Sequence, residues 1–264
     1  MTNKQFEEVQ EMIRNSPRRS DECPTCGNRK SEIAPGIYDW QPSTYTLLGK
    51  RYECDCQEQI NLYRHYLLAH IPDEYMRLGK EDYESDPVAW EETEKYISEW
   101  ENNKRNGLGI AFMAKEMGVG KTFLASLVAR EVIKMGDTVY FANFRDIVSL
   151  YQIPYEDRIE EETKIHNCTL LILDEVVKTY SDRQKDFFGE KFEELIRNRS
   201  NYNRVTIITT NLETNELESN YPRTFSLLSA KQKMLKVNRS DIRKEGIWEI
   251  NKALAERGEI RPIQ

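Results

Sequence analysis

The sequence predicts an α/β fold in which helices cover a mostly parallel sheet, preceded by a small cysteine-rich module. Its 264 residues leave room for one sizeable α/β domain and a small appendage. From residue 107 onward, short apolar runs alternate with longer helical patterns, and four of the five cysteines form two close pairs before residue 57. The runs that predict strands are 108–114, 138–143, 169–173 and 204–210.

The composition divides the chain into three ranges. Residues 1–70 are expected to form the cysteine-rich module, residues 71–106 a polar linker, and residues 107–264 the α/β domain. A helix in the module is predicted from the spacing of Ile60, Tyr63, Leu67 and Leu68. A second helix, which docks on the α/β domain, is predicted from Trp90, Tyr96, Ile97 and Trp100.

Composition and charge limit the class of protein. No apolar run approaches the roughly 18 residues that cross a bilayer, so we expect no membrane partner. Residues 1–16 have the pattern of an amphipathic helix and not of a signal peptide, so a cytoplasmic location is expected. The net charge of -7 argues against coating duplex DNA through overall charge, so a nucleic-acid site should be a local patch.

The paired cysteines predict a metal site. In a reducing compartment, Cys23 with Cys26 and Cys54 with Cys56 favour zinc over disulfides. Four thiolates close a tetrahedral structural site and leave no open position for catalysis. Zinc loss is then expected to unfold the module without affecting the α/β domain. Two alternatives are three cysteines with His65 or His70, and unligated thiols in a surface hairpin, while Cys168 is interpreted as a buried apolar residue.

A phosphate-binding loop is predicted after the first strand. Residues 115–122 read KEMGVGKT and precede a helical stretch, 123–135, which is the strand–loop–helix setting of the P-loop. Glycines let backbone N–H groups surround phosphate oxygens, the lysine reaches the β and γ phosphates, and the threonine binds Mg²⁺. The predicted ATP-binding residues are Gly118, Val119, Gly120, Lys121, Thr122 and Phe123.

One position departs from this motif. Lys115 stands where the pattern has its first glycine, which predicts weaker nucleotide binding or an altered loop. The alternative interpretation is a chance Gly-Lys-Thr at the start of a helix.

Polar side chains follow two later strands. Asp174 and Glu175 come after an apolar run and are expected at the carboxyl edge of the sheet, where Asp174 would hold Mg²⁺ through water and Glu175 would polarise the attacking water. Asn211 follows the next strand and could sense the γ-phosphate or orient the water. The alternatives are a solvated strand end or helix cap for the carboxylates, and a cap of a helix from Leu212 for Asn211.

With Lys121-Thr122, Asp174-Glu175 and Asn211 following one another in the chain, residues 107–243 resemble the core of AAA+ ATPases. Among these ATPases, they resemble the DnaC/DnaI helicase loaders and their IstB-like relatives. Ile71-Pro-Asp-Glu-Tyr and the run from Cys168 to Val176 are particularly similar to that family. The resemblance implies binding of ATP/ADP and Mg²⁺. It also implies an arginine finger at Arg223, while Leu227 occupies a second arginine position. Arg243 is either a second sensor or part of a solvated charged face.

The cysteine pairs resemble the zinc-binding, helicase-contacting domain of the DnaI branch. The resemblance therefore implies an ATP-dependent loader that binds a DnaB-type replicative helicase, holds single-stranded DNA and assembles with copies of itself. Candidate DNA contacts are Lys178, Tyr180 and Lys185, with residues 197–204 as a second basic patch or a solvated helix end. The alternatives are an IstB-like transposition helper and a non-hydrolysing protein that occupies a helicase or loader.

Overall fold

The computed structural model describes residues 22–35, 37–83, 85–177, 182–238, 252, 254, 256–257 and 259–264. They group into two compact units, one within Met1–Asp82 and Arg243–Gln264 and the other within Tyr83–Ile242. We call them the cysteine unit and the sheet unit. The boundary therefore lies inside the range predicted as a linker, and the last residues belong with the cysteine unit; the roles expected for residues 1–70, 71–106 and 107–264 stay predictions.

The described part of the cysteine unit contains four short strands, an α-helix and two 3-10 helices, Asp73–Tyr75 and Lys80–Asp82. The strands pair as antiparallel hairpins, β1 with β2 and β3 with β4. Their bounds are β1 Lys30–Ala34, β2 Ile37–Trp40, β3 Ser43–Leu47 and β4 Lys50–Cys54, followed by helix α1, Cys56–Leu68. The carboxylate of Asp55 caps α1 by accepting a bond from the Glu58 N–H at 3.0 Å. Ile60 and Tyr63 are buried, which confirms the predicted helix.

The segment 259–264 is held in the cysteine unit by hydrogen bonds. The Gln59 side chain donates to the Ile263 carbonyl at 3.0 Å and accepts from the Ile263 N–H at 2.6 Å. The N–H of Gln264 donates to the Met76 carbonyl at 3.0 Å, and Arg261 pairs with buried Asp82. Residues from two distant parts of the chain therefore share one core.

A five-stranded parallel sheet organises the sheet unit. Its spatial order is β6-β7-β8-β5-β9. The bounds are β5 Gly109–Met113, β6 Val139–Asn143, β7 Leu170–Val176, β8 Val205–Thr210 and β9 Gln232–Lys236. The first four are the predicted strands; β9 was not predicted, because its sequence QKMLK is mostly polar and lies at an edge.

Helices cover this sheet. They are α2 Pro87–Ser98, α3 Trp100–Asn106, α4 Lys121–Lys134, α5 Phe144–Leu150, α6 Tyr155–Asn167, α7 Asp182–Asn201, α8 Thr214–Asn220 and α9 Pro222–Lys231. The predicted aromatic helix divides at Glu99 into α2 and α3, with Trp90, Tyr96 and Trp100 buried. No helix in the described part of the chain is long and apolar enough to cross a membrane.

A buried arginine ties the amino ends of the strands to the helices. Arg199 on α7 is 1% exposed, and its guanidinium donates to the carbonyls of Ile165 at 2.7 Å and Val205 at 2.5 Å. It also donates to the hydroxyl of Thr206 at 3.0 Å. Arg199 therefore connects α6, α7 and β8 at the edge of the sheet opposite to the carboxylates.

Candidate nucleotide site and cysteine cluster

The loop between β5 and α4 has the backbone that a phosphate-binding loop needs. Gly118 and Gly120 have φ angles of 76° and 91°, a left-handed conformation that favours glycine. Lys115 is not among the residues with positive φ, and it is exposed. The lysine at the position of the first glycine therefore fits the loop without left-handed strain.

Lys121 begins helix α4 and is 8% exposed. Its ammonium donates to the carbonyl of Glu116 at 3.0 Å and to that of Ala114 at 3.4 Å. These contacts keep the positive charge at the loop. A phosphate bound there would meet this ammonium, the loop N–H groups and the N-terminus of a 14-residue helix.

The side chains of Val119 and Phe123 support the loop from inside. They are 0% and 3% exposed, so any contact they make with a nucleotide would come from the backbone. The buried hydroxyl of Ser85 donates to the Val119 carbonyl at 2.8 Å, and the ring of Tyr83 lies 5.3 Å from that of Phe123. Tyr83 and Ser85 were missed in the sequence, because they lie in the range interpreted as a linker.

Asp174 joins the loop to the sheet. Its carboxylate accepts a bond from the Thr122 hydroxyl at 3.0 Å and one from the Thr209 hydroxyl at 2.6 Å. Burial raises the pKa of Asp174, while both hydroxyl bonds act to lower it. A carboxylate beside a hydroxyl is the oxygen donor set that Mg²⁺ prefers, so these residues fit the expected ion.

Glu175 follows Asp174 in β7 but differs from it in burial. It is exposed, has a φ of 57°, and lies where the pairing of β7 with β8 slips. The Asn143 amide donates to a Glu175 carboxylate oxygen at 3.1 Å, and the Glu175 N–H donates to the Thr209 hydroxyl at 2.9 Å. The structure thus brings Thr122, Asp174 and Glu175 to one edge.

Asn143 and Thr209 were missed in the sequence. Both stand at the carboxyl ends of strands that neighbour β7, and Asn143 is in register with Asp174. Their location at the ends of predicted strands was the only feature of the sequence that could have identified them.

Asn211 follows β8 and is half-buried. Helix α8 starts at Thr214 and is capped by Glu213 through a capping box with Glu216, so a helix starting at Leu212 and capped by Asn211 is not formed. Its role as a sensor of phosphate stays a prediction.

Arg223 lies in the first turn of α9. Its side chain is 83% exposed and lies 3.7 Å from a carboxylate oxygen of Glu193 on α7. Leu227, one turn later, is half-buried and packs on the core of the sheet unit. The predicted contacts Lys178 and Tyr180, the Lys185 side chain, Arg243 and residues 1–16 lie outside the described residues.

The cysteine pairs meet in the cysteine unit. The sulfur of Cys23 lies 3.7 Å from that of Cys54, and the sulfur of Cys26 lies 3.5 Å from that of Cys56. All four sulfurs lie within 4.8 Å of one another. Tetrahedral zinc with Zn–S bonds of about 2.3 Å needs sulfurs about 3.8 Å apart, so the cluster fits zinc. In the described part of the chain, His65 and His70 do not belong to the cluster.

Local structure explains how the thiols converge. A turn brings the Cys23 N–H to the Asn28 carbonyl at 2.8 Å and passes through Gly27, whose φ is 70°. Cys54 ends β4 and Cys56 begins α1. Burial raises the pKa of Cys56 to about 11, so zinc would have to displace protons and should bind less tightly as the pH falls.

Comparisons with solved structures support the fold. A crystal structure of the DnaC helicase loader matches with a TM-score of 0.54 and 22% identity, covering 63% of this chain and all of that one. A DnaI crystal structure matches with a TM-score of 0.54 and 19% identity, covering 63% of this chain and 94% of that one. The structure of the replication initiator DnaA bound to AMPPCP and single-stranded DNA matches with a TM-score of 0.51 and 18% identity. The match covers 72% of this chain and 57% of the DnaA chain. The AAA+ fold expected from the resemblance is thus confirmed.

No curated protein sequence matched the chain. The profile of the family described as IstB-like ATP binding protein matches residues 99–230, half of the 264 residues. This range contains the glycine loop, Lys121, Thr122 and Asp174. The chain therefore belongs to the family of IstB-like ATP-binding proteins.

Proposed function

We propose that this protein is an ATP-dependent loader that binds a DnaB-type replicative helicase in the cytoplasm and helps to place it on single-stranded DNA. The cysteine unit contacts the helicase, and the sheet unit binds ATP and DNA. Copies of the protein assemble in the loaded state. ATP hydrolysis then releases the helicase.

The observation that carries the proposal is the combination of two sites in one chain. A glycine loop with a hydrogen-bonded lysine and a buried carboxylate stands on a fold shared with the DnaC helicase loader. A four-cysteine cluster that fits structural zinc lies in a separate compact unit. The first site supplies the nucleotide binding that release of the helicase requires. The second stabilises the unit that contacts the helicase.

The residues divide the work of hydrolysis. Lys121 and the loop N–H groups hold the phosphates, and Thr122 and Asp174 hold Mg²⁺, which supplies charge neutralisation at the β and γ phosphates. Glu175 accepts the proton of the attacking water, and Asn211 orients that water. Exposed Arg223 reaches ATP bound to a neighbouring copy, where an arginine can increase turnover by roughly 10³- to 10⁵-fold.

DNA binding is supported by the type of residue and by the fold. Lys178, Tyr180 and Lys185 follow the carboxylates, and basic and aromatic side chains are the groups that hold single strands. The structurally similar DnaA was solved with single-stranded DNA.

A second candidate is a protein that occupies a helicase or loader without hydrolysing ATP. Leu227 favours it, because a leucine packed on the core supplies no second arginine. A transposition helper is a third candidate, favoured by the family match.

The test is ATP turnover by the full chain on single-stranded DNA, with and without the replicative helicase of the source cell. The variants are Lys121→Ala and Arg223→Ala. Lys134→Ala is the control for Lys121, since Lys134 lies in the last turn of α4 and pairs with Glu131. Lys231→Ala is the control for Arg223, because Lys231 is the basic residue in the last turn of the same helix, α9.

Turnover that DNA stimulates, that both site variants abolish and that both controls keep is the expected result. Helicase binding with nucleotide binding but no turnover would favour the second candidate. Stimulation by duplex DNA alone, with no helicase binding, would favour the transposition helper.

A further inference from the structure

Thr209 is opposite the irregularity in β7 that contains both Asp174 and Glu175. Leu173 pairs with Ile208 and Val176 pairs with Thr210, so two residues of β7 face the single residue Thr209. Such a bulge leaves a backbone N–H without its partner in the sheet. Thr209 is 1% exposed, and its hydroxyl lies 2.9 Å from the N–H of Glu175 at this bulge.

The hydroxyl of Thr209 makes two bonds at this point. It donates to a carboxylate oxygen of Asp174 at 2.6 Å and accepts from the N–H of Glu175 at 2.9 Å. A hydroxyl has one proton and two lone pairs, so both bonds form together. One oxygen atom therefore fixes the side chain of Asp174 and the backbone of Glu175.

The bond to Glu175 matters because the backbone there is strained. Its φ of 57° is unfavourable for a residue with a Cβ, and such a conformation persists only where surrounding groups hold it. The Thr209 hydroxyl is one of those groups. Asn143 holds the far end of Glu175, through its carboxylate.

We propose that Thr209 is a positioning residue that orients the carboxylate of Asp174 for a metal ion and, through the same hydroxyl, holds the backbone of Glu175 in its left-handed conformation. The inference rests on the nucleotide site of the proposed function. It does not depend on the helicase or on DNA. Serine keeps both bonds, whereas valine has the shape of threonine and keeps neither.

The experiment compares Thr209→Val with Thr209→Ser in the full chain. Binding of Mn²⁺ to the ADP-bound protein is measured by electron paramagnetic resonance. Binding of ADP without a metal ion is measured by fluorescence in the presence of EDTA. We expect Thr209→Val to lower Mn²⁺ affinity by about 10- to 100-fold, the range found when groups that orient metal ligands are removed. ADP binding in EDTA should stay at the wild-type value, and Thr209→Ser should restore Mn²⁺ binding.

Thr210→Val is the matched control. Thr210 is also 1% exposed, and its hydroxyl donates to the Val176 carbonyl at 2.6 Å and accepts from the Leu212 N–H at 3.0 Å. It touches neither carboxylate side chain, so its loss should leave Mn²⁺ affinity unchanged. Equal losses in Thr209→Val and Thr210→Val would show a general effect on the strand and overturn the inference.

Two other outcomes are distinguishable. Wild-type Mn²⁺ affinity in Thr209→Val would overturn the positioning role and leave the proposed function intact. Failure of the wild-type protein to bind ADP with Mn²⁺ would instead overturn the nucleotide site, and the inference with it.

Discussion

Asp174 illustrates how one residue can serve function at a cost to stability. It is 9% exposed at the end of a buried strand, and burial raises its pKa. Hydroxyl bonds from Thr209 and Thr122 offset only part of this effect, because its pKa remains above the ordinary value. In the absence of a metal ion, the ionised carboxylate therefore destabilises the fold.

The substitution Asp174→Asn tests this cost. A raised folded-state pKa means that the stability contribution is present at low pH and is lost as the pH rises through the folded-state value. Without nucleotide, Asp174→Asn should therefore melt at a higher temperature than wild type at neutral pH, and the difference should shrink as the pH is lowered. Calorimetry measures this. Exposed Glu218→Gln is the control, and a lower melting temperature for Asp174→Asn would contradict the interpretation.

Some residues of the site can be identified from the neighbouring sequence, and others cannot. Lys121 and Thr122 are fixed by the loop motif, and Asp174 by its place after an apolar strand, so the sequence predicted that the three meet. Thr209 and Asn143 act through contacts between strands. Such contacts depend on strand order and register, which no local pattern specifies.

At the scale of elements, Arg199 adds polar contacts between helices and strands to the apolar packing of the core. A guanidinium has five N–H donors in a planar fork, and the acceptors in α6 and β8 include the carbonyls of Ile165 and Val205 and the hydroxyl of Thr206. Because the side chain is almost fully buried, its removal leaves these acceptors without their partner and away from bulk water.

Arg199→Ala should therefore lower the free energy of unfolding by about 3 kcal/mol or more, since hydrogen bonds to charged groups are worth about 1.5–3 kcal/mol each and do not add fully. Urea unfolding followed by circular dichroism measures it. Arg204→Ala is the control, because Arg204 reaches the Asn167 carbonyl at an exposed position, and its cost should stay within about 1 kcal/mol. Equal costs for both variants would show that burial of Arg199 is unimportant.

The strands that the sequence predicted are more buried than the strand that it did not predict. Strands β5, β7 and β8 are buried along almost their whole length because both faces of the sheet are covered, and the apolar runs that this burial requires are visible in a sequence. Strand β9 has a single fully buried residue, Leu235, so it lacks that pattern. The break between α2 and α3 was also missed, because the apolar spacing continues across Glu99.

At the scale of the whole molecule, the cysteine unit is discontinuous in sequence. The sheet unit is inserted between residues 82 and 243, and segment 259–264 completes the cysteine unit. The composition gave no sign of this. The segment lacks a long apolar pattern and is joined by backbone hydrogen bonds to Gln59 and Met76.

Gln59→Ala tests how strongly this segment stabilises the unit. It removes both bonds to Ile263 and the bond from the Thr25 hydroxyl, so we expect a loss of about 2 kcal/mol. Zinc release to a colorimetric chelator should accelerate by roughly tenfold or more, because the unit opens more often. Exposed Gln57 on the same helix contacts Asn61, and Gln57→Ala should release zinc at the wild-type rate. Equal rates for the two variants would contradict the role of Gln59.

The insertion also sets an order of events during translation. The four cysteines leave the ribosome early, and residues 259–264 leave after the sheet unit has been synthesised. A nascent chain can therefore capture zinc long before Gln59 finds Ile263. The cysteine unit therefore cannot complete its set of hydrogen bonds until residues 259–264 have been synthesised, although its cysteines are made before the sheet unit.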